Sequence, residues 1–269
     1  MSNICFIGAG NMAQSIIGGL LKAGTPAATL WATARSDEKR RTLRTQFGVN
    51  VSADNIDAIS HCRIIVLAVK PQMMSGVCEQ IAPFMNGKLI ISVAAGVTCE
   101  TLEKWLGPKS AIIRCMPNTP SSIGQGAAGL FANKHVSSLQ KQAGESILSA
   151  AGMTCWVEDE AQMHIVTAVS GSGPAYFFLF LEAMTNAAIA QGLDAKTAQK
   201  LAIQTAKGAA LLAEQSTDSL ETLRKKVTSP GGTTEQAILS FEHSDLRTTV
   251  ACAMNACARR SQQMADELS

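Results

Sequence analysis

From residue 3 to about 157, short and continuously apolar runs alternate with stretches of helical periodicity. The runs "ICFIG", "TLWAT", "RIIVLAV", "KLIISVA", "SAIIRCM" and "MTCWV" are bounded by turn or charged residues, the pattern of strands buried on both faces. Helices are predicted between them over 11–23, 37–47, 72–84 and 137–151. Such alternation predicts a mostly parallel sheet covered by helices on both sides. Beyond about 160 the Val/Ile-rich runs stop and an Ala-rich helical pattern takes over. "GPAYFFLFLEAMTNAAIAQG" carries Pro174 near a helix start and Gly192 just past its end. Further helices are expected at 195–215, 218–227, 232–242 and 245–265. There is no repeat and no low-complexity linker. The expected organisation is an α/β domain over 1–160 and an all-helical domain over 161–269, divided by a change of pattern.

Composition narrows the choice of partners. A chain of 269 residues is long enough for two domains and a sizeable core. Its formal net charge is +2, with no basic block or acidic tail, so nothing invites nucleic acid. "MSNICFIGAG" reads as a strand entering a glycine turn, without the charged start and long apolar centre of a signal peptide. The run "YFFLFLEAM" is ended by Glu182, short of a membrane span, and no membrane is expected. Eight cysteines occur without a C-x-x-C pair, which favours a reduced cytoplasmic protein over a disulfide scaffold. Four isolated histidines show no metal-ligand spacing, and no metal is expected.

"FIGAGNMAQSIIGGL" supplies the first chemical signal. Gly8-x-Gly10-x-x-Ala13 follows a strand and opens a helix. The first glycine permits a tight turn, the second lets backbone approach a pyrophosphate, and the third small residue lets the helix pack on the sheet. The helix N–H groups and dipole then face the phosphates. The same residues can also form a purely structural turn. The next strand, "TLWAT", runs into Ala34, Arg35 and Ser36. A guanidinium and a hydroxyl suit a ribose 2′-phosphate, which points to NADP(H), with NAD(H) also usable. Asp37 could instead meet a 2′-hydroxyl if the strand ran slightly longer. "AVKPQ" (68–72) and "SVAAGVT" (92–98) follow strands and are placed to line a cofactor cleft, or merely to punctuate turns. "CMPNTP" (115–120) reads as a stiff loop at the cleft or a surface turn.

"VTSPGGTTEQ" (227–236) places glycines and hydroxyls at a helix start. It suits an anion, because Gly231 and Gly232 let successive N–H groups converge while Ser229 and Thr233 donate further bonds. A helix cap with Thr as N-cap and Glu235 in the first turn would look similar. No carboxylate pair or lysine motif stands out as a proton donor, and no Ser-His-Asp arrangement or P-loop is visible. A ketone needs an acid as its oxygen gains charge. An imine can be protonated beforehand, so the missing acid favours reduction of a C=N bond.

The motifs "FIGAGNMA", "AVKP", "SVAAGV", "MPNTP", "SGSGPAY" and "SPGGTT" stand in the order of the pyrroline-5-carboxylate reductases, which the chain resembles over nearly its whole length. The resemblance implies reduction of Δ1-pyrroline-5-carboxylate to L-proline with NAD(P)H, the last step of proline biosynthesis. It implies an N-terminal Rossmann domain and an all-α C-terminal dimerisation domain that interlocks with a second subunit, with dimers commonly assembled to decamers. By the same resemblance Ile7, Gly8, Ala9, Gly10, Asn11 and Met12 would hold the pyrophosphate. Arg35 and Ser36 would meet the 2′-phosphate or ribose, and Asn55 the adenosine side. Ala68, Val69, Lys70 and Pro71 with Val93, Ala94 and Ala95 would line the nicotinamide half. Ser229, Gly231, Gly232 and Thr233 would cradle the substrate carboxylate, Thr234 would act at the ring nitrogen, and Glu160 would lie at the substrate. Ser170 to Tyr176 would set the start of a helix and dimer packing. One departure is Asp245, where the family usually has a glycine between its last two helices. A β-hydroxyacid dehydrogenase and a non-catalytic NADP sensor are the competing readings.

Overall fold

A computed structural model describes residues 2–268. Eight strands form one sheet: β1 (Ile4–Ile7), β2 (Leu30–Thr33), β3 (Asn50–Ser52), β4 (Ile64–Leu67), β5 (Leu89–Ser92), β6 (Ala111–Met116), β7 (Gly126–Ala132) and β8 (Gly152–Trp156). Their order is β3-β2-β1-β4-β5-β6-β7-β8, parallel throughout except for the β6–β7 pair. The helices are α1 (Asn11–Lys22), α2 (Asp37–Phe47), α3 (Asn55–Ser60), α4 (Met74–Ile81), α5 (Cys99–Leu106), α6 (Ser138–Leu148), α7 (Gln162–Val166), α8 (Gly173–Ala190), α9 (Ala195–Gln215), α10 (Leu220–Lys226), α11 (Thr233–His243) and α12 (Leu246–Leu268).

The two-residue period of the strands explains why their apolar runs are continuous. Ile4 and Phe6 of β1, with Val66, Ile91 and Ile113, face a core completed by Ile16, Ile17 and Leu20 of α1. Cys5 and Ile7, with Ile65, Leu67, Ile90 and Ile112, face the opposite core under α3, α4 and α5. Strand order reverses between β1 and β4, so a crevice opens at their C-terminal ends, where open α/β sheets bind ligands.

The chain divides into two compact units. One runs through Ser172 and takes in the chain from Ala256 onward; the other spans Gly173–Asn255. α7 and the tail of α12 therefore lie with the sheet, on the helical side of the expected boundary at 160. Burial accounts for this, since Met163, Ala168 and Ala265 are covered there.

Gly173–Asn255 holds α8 to α11 and most of α12. Here Phe180 and Phe241 meet at 6.0 Å between ring centroids. Yet Phe177, Phe178 and Leu179 of α8 are about two-thirds exposed, at 68%, 66% and 67%. The continuous helical stretch Gln162–Ala190 is long and apolar enough, by length and composition, to cross a membrane. This corrects the reading of "YFFLFLEAM" as too short, because the helix begins well before that run and continues past Glu182. Between α11 and α12, Asp245 has φ 57, alone among described non-glycine residues in the left-handed region. The turn keeps the conformation that a glycine adopts freely, and the Asp245 carboxylate accepts a hydrogen bond from Thr248 Oγ1 at 3.0 Å.

Candidate functional site

The crevice at the ends of β1, β2 and β4 is a cleft of about 460 Å³. Its floor is the turn after β1. Gly8 has φ +89, and a Cβ there would lie 2.8 Å from Val69 Cγ1 and 2.9 Å from the Ala68 carbonyl. Only glycine fits. Gly10 is the N-cap of α1 and offers no side-chain cap, so the first-turn N–H groups keep no internal acceptor. A Cβ on Gly10 would meet little of the protein, with only the Ala68 carbonyl as near as 4.0 Å, and would instead fill the space where a pyrophosphate would rest. Ala13 is fully buried and lets α1 settle on the sheet. These features fit a dinucleotide by shape and by donor chemistry.

The cleft walls contain Ile7, Gly8, Ala9, Gly10, Arg35, Ser36, Asn55, Ala68, Val69 and Lys70. Asn11 and Met12 open α1, Pro71 starts a short 3-10 turn, and Val93, Ala94 and Ala95 follow the neighbouring β5; these six are not in the wall. Thr33, Lys39, Met73 and Val77 line the cleft without a sequence signal that isolated them. Neither a carboxylate nor a histidine lines it among the described residues. Asn55 Nδ2 donates to Gln80 Oε1 at 3.2 Å, which orients the amide at the start of α3.

The β2–α2 turn settles where Asp37 goes. β2 ends at Thr33, Ser36 is the N-cap of α2, and its hydroxyl accepts from Lys39 N at 3.2 Å. Asp37 lies in the first turn of α2, outside the cleft, paired with the Arg40 guanidinium. It does not stand at the strand end, where an acid would meet a 2′-hydroxyl.

"SPGGTT" forms the turn before α11. Gly231 has φ +71, and Gly232 is the N-cap, without any side-chain cap. This overturns the alternative of a threonine N-cap, since Thr233 and Thr234 are already helical. The donors also differ from those expected. Gly231 N–H donates to Glu235 Oε2 at 2.7 Å, and Gly232 N–H to the Ser229 carbonyl at 3.0 Å. The donors left for an external anion are the first-turn N–H groups of Thr233 and Thr234 and the hydroxyls of Ser229, Thr233 and Thr234.

Glu160 has partners within the protein. Its Oε1 accepts from Arg114 Nη1 at 2.5 Å and from Cys99 N, at the start of α5, at 2.7 Å. Arg114 is buried, so the pair ties β6, α5 and the segment leading into α7. Nearby, His164 Nδ1 and Ser261 Oγ are 2.9 Å apart. Burial first, then the Arg114 charge, pushes the His164 pKa below its usual value. Asn118 of "MPNTP" is neither a cleft loop nor a surface turn. It is buried, donating to the Ser170 carbonyl at 3.0 Å and accepting from Ala127 N at 2.9 Å. Ser170 lies in a π-helical turn, Thr167–Gly171, that leads into α8. The cysteines are all free, and burial pushes the Cys78 thiol up to about 12.

Residues 160–264 match the family model of pyrroline-5-carboxylate reductase dimerisation, and residues 3–96 match that described as NADP oxidoreductase, coenzyme F420-dependent. The chain is 48% identical over 266 residues to the pyrroline-5-carboxylate reductase of Pseudomonas aeruginosa, covering 98% of this chain and 97% of that one. The chain belongs to the pyrroline-5-carboxylate reductase family. The reductase of Vibrio alginolyticus is 46% identical over 97% of both chains. Among solved structures, the pyrroline-5-carboxylate reductase of Coxiella burnetii superposes with a TM-score of 0.95 at 44% identity, covering 98% of each chain. That of Plasmodium falciparum, solved with NADP bound, gives 0.87 at 31%, again covering 98% of each. Membership explains why the glycine turn, the cleft and "SPGGTT" occur in one chain.

Proposed function

We propose that the protein reduces the C=N bond of Δ1-pyrroline-5-carboxylate to L-proline, the last step of proline biosynthesis, using NADPH and also accepting NADH. The observation that carries this reading is the dinucleotide cleft with Arg35 and Ser36, and no acid, beyond β2 in a full-length relative of named reductases. Bound coenzyme supplies hydride to the imine carbon. The protein's part is to hold and orient. The turn at Gly8–Gly10 and the start of α1 take the pyrophosphate, and Arg35 and Ser36 take the 2′-phosphate. Ser229, Thr233 and Thr234 hold the substrate carboxylate on the dipole of α11. The Thr234 hydroxyl stands at the ring nitrogen and favours its protonated form, so no carboxylic acid is needed in the cleft. Glu160 serves by fixing Arg114 and the start of α5, as a positioning group.

In this reading residues 1–160 bind coenzyme, and residues 161–269 bind substrate and dimerise. Interlocking of the helical regions of two subunits covers Phe177, Phe178 and Leu179, with further assembly to a decamer. A subunit interface suits the apolar face of Gln162–Ala190 better than lipid, because the dimerisation match covers 160–264 and includes it. The small net charge supports the absence of nucleic-acid partners, and eight free cysteines support a reducing cytoplasmic setting. A folded, fully active monomer in sedimentation at low concentration would contradict the interlocked dimer. Mixing the protein with pyrroline-5-carboxylate and NADPH tests the activity. Coenzyme absorbance falls only when substrate is present; no substrate-dependent fall would return the protein to the sensor reading.

A further inference from the structure

The turn between β2 and α2 sorts its charges in a way that the sequence hides. Arg35, Asp37, Glu38, Lys39, Arg40 and Arg41 follow closely in the chain, and cations and anions look intermixed. In the fold they separate. Arg40 Nη1 accepts nothing but donates twice, to the Ala34 carbonyl at 2.6 Å and the Arg35 carbonyl at 2.7 Å. Its Nη2 holds the Asp37 carboxylate. One guanidinium thus gathers three acceptors of the turn, and its side chain is only 18% exposed. Glu38 and Arg41 lie on the other side, in the wall of a separate groove with Asp37. What remains facing the cleft is Arg35, the Ser36 hydroxyl and Lys39. Lys39 is half-buried, and its own N–H fixes Ser36 as the N-cap. Among the described residues neither Arg35 nor Lys39 has a carboxylate partner.

We propose that Lys39 is a second cation for the coenzyme 2′-phosphate, and that Arg40 is a positioning residue that sets coenzyme choice by neutralising Asp37 and engaging the two carbonyls of the turn. The proposal rests on the NADP(H) reading above. Its physics is plain. A 2′-phosphate is a dianion that gains from each charge-assisted donor and loses from each acceptor left facing it. Without Arg40 the Asp37 carboxylate is left unpaired beside the turn, a negative charge that repels the 2′-phosphate more than it does the 2′-hydroxyl of NAD(H). Selectivity is therefore built from two cations that attract and one that removes repulsion.

The test measures dissociation constants of NADP⁺ and NAD⁺ by titration calorimetry on the full-length protein, and takes their ratio as the selectivity. Lys39→Gln should lower that ratio about tenfold, as one charge-assisted contact is lost. Arg40→Leu should lower it by a similar factor, and adding Asp37→Asn to Arg40→Leu should restore part of the loss. A purely structural role for Arg40 predicts no rescue, because the carbonyls and the helix start remain unsupported. A thermal melt on each variant identifies those that still fold. If wild-type protein prefers NADP⁺ while folded Lys39→Gln keeps the wild-type ratio, Lys39 is a bystander and the proposal falls while the NADP(H) reading stands. If rescue is absent in folded protein, the role assigned to Arg40 falls. If wild-type protein shows no preference for NADP⁺, the reading beneath the proposal fails first, and the proposal with it.

Discussion

Replacing Thr234 by alanine separates chemistry from architecture at the loop before α11. The helix starts at Thr233 with Gly232 as N-cap, so Thr234 is its second residue and caps nothing. It is exposed, and among the described residues its hydroxyl has no partner. Alanine is the better helix former by roughly 0.5 kcal/mol, so stability should stay level or rise slightly. If the hydroxyl meets the ring nitrogen, its loss should lower kcat/KM by roughly ten- to a hundredfold, about 1.4–2.7 kcal/mol of transition-state binding. Thr234→Ser keeps the hydroxyl and should recover most of the rate. The assay pairs a thermal melt with initial rates over a range of pyrroline-5-carboxylate at saturating NADPH, and NADP⁺ binding should not move. A variant that melts early yet turns over normally per folded molecule would refute the assignment of Thr234 to the substrate.

Other perturbations probe the frame around the site. Arg114→Met strands the Glu160 carboxylate beside the start of α5, and unfolding by urea should show a loss of about 3–5 kcal/mol; a loss under 1 kcal/mol would mean that the pair contributes little. The fold disfavours the protonated form of His164, so below its usual value of 6.5 the unfolded chain binds more of a proton than the folded chain does. Stability should therefore decline as pH falls below 6.5, by up to about 1.4 kcal/mol per pH unit until the lowered folded pKa is passed, and His164→Gln should flatten that decline. Asp245→Ala removes the Thr248 bond and leaves a plain side chain at φ 57, which should cost about 1–2 kcal/mol in a melt, while Asp245→Gly should be nearly neutral.

Much of the fold was legible because most strands are buried on both faces and read as unbroken apolar runs. β3 and β7 were not. β3 is three half-buried residues, Asn50–Ser52, without an apolar run. β7, "GAAGLFA", is built largely of Gly and Ala, whose weak strand preference carries no signal until β6 and β8 flank it. The coenzyme turn was legible because its chemistry is local: a strand, two glycines and a helix. Lys39 was not, since only the direction of a helix face brings it to the cleft while Arg40, one residue on, turns back to the loop. The glycine N–H groups of "SPGGTT" were read as free because Glu235, four residues from Gly231, reaches back only once α11 has formed.

Initial rates of coenzyme oxidation with pyrroline-5-carboxylate, run in parallel with NADPH and NADH, test the central claim most directly. Substrate-dependent oxidation of both, with the larger kcat/KM for NADPH and proline as the product, is the expected result. Oxidation that needs no pyrroline-5-carboxylate, or none with either coenzyme, would contradict it.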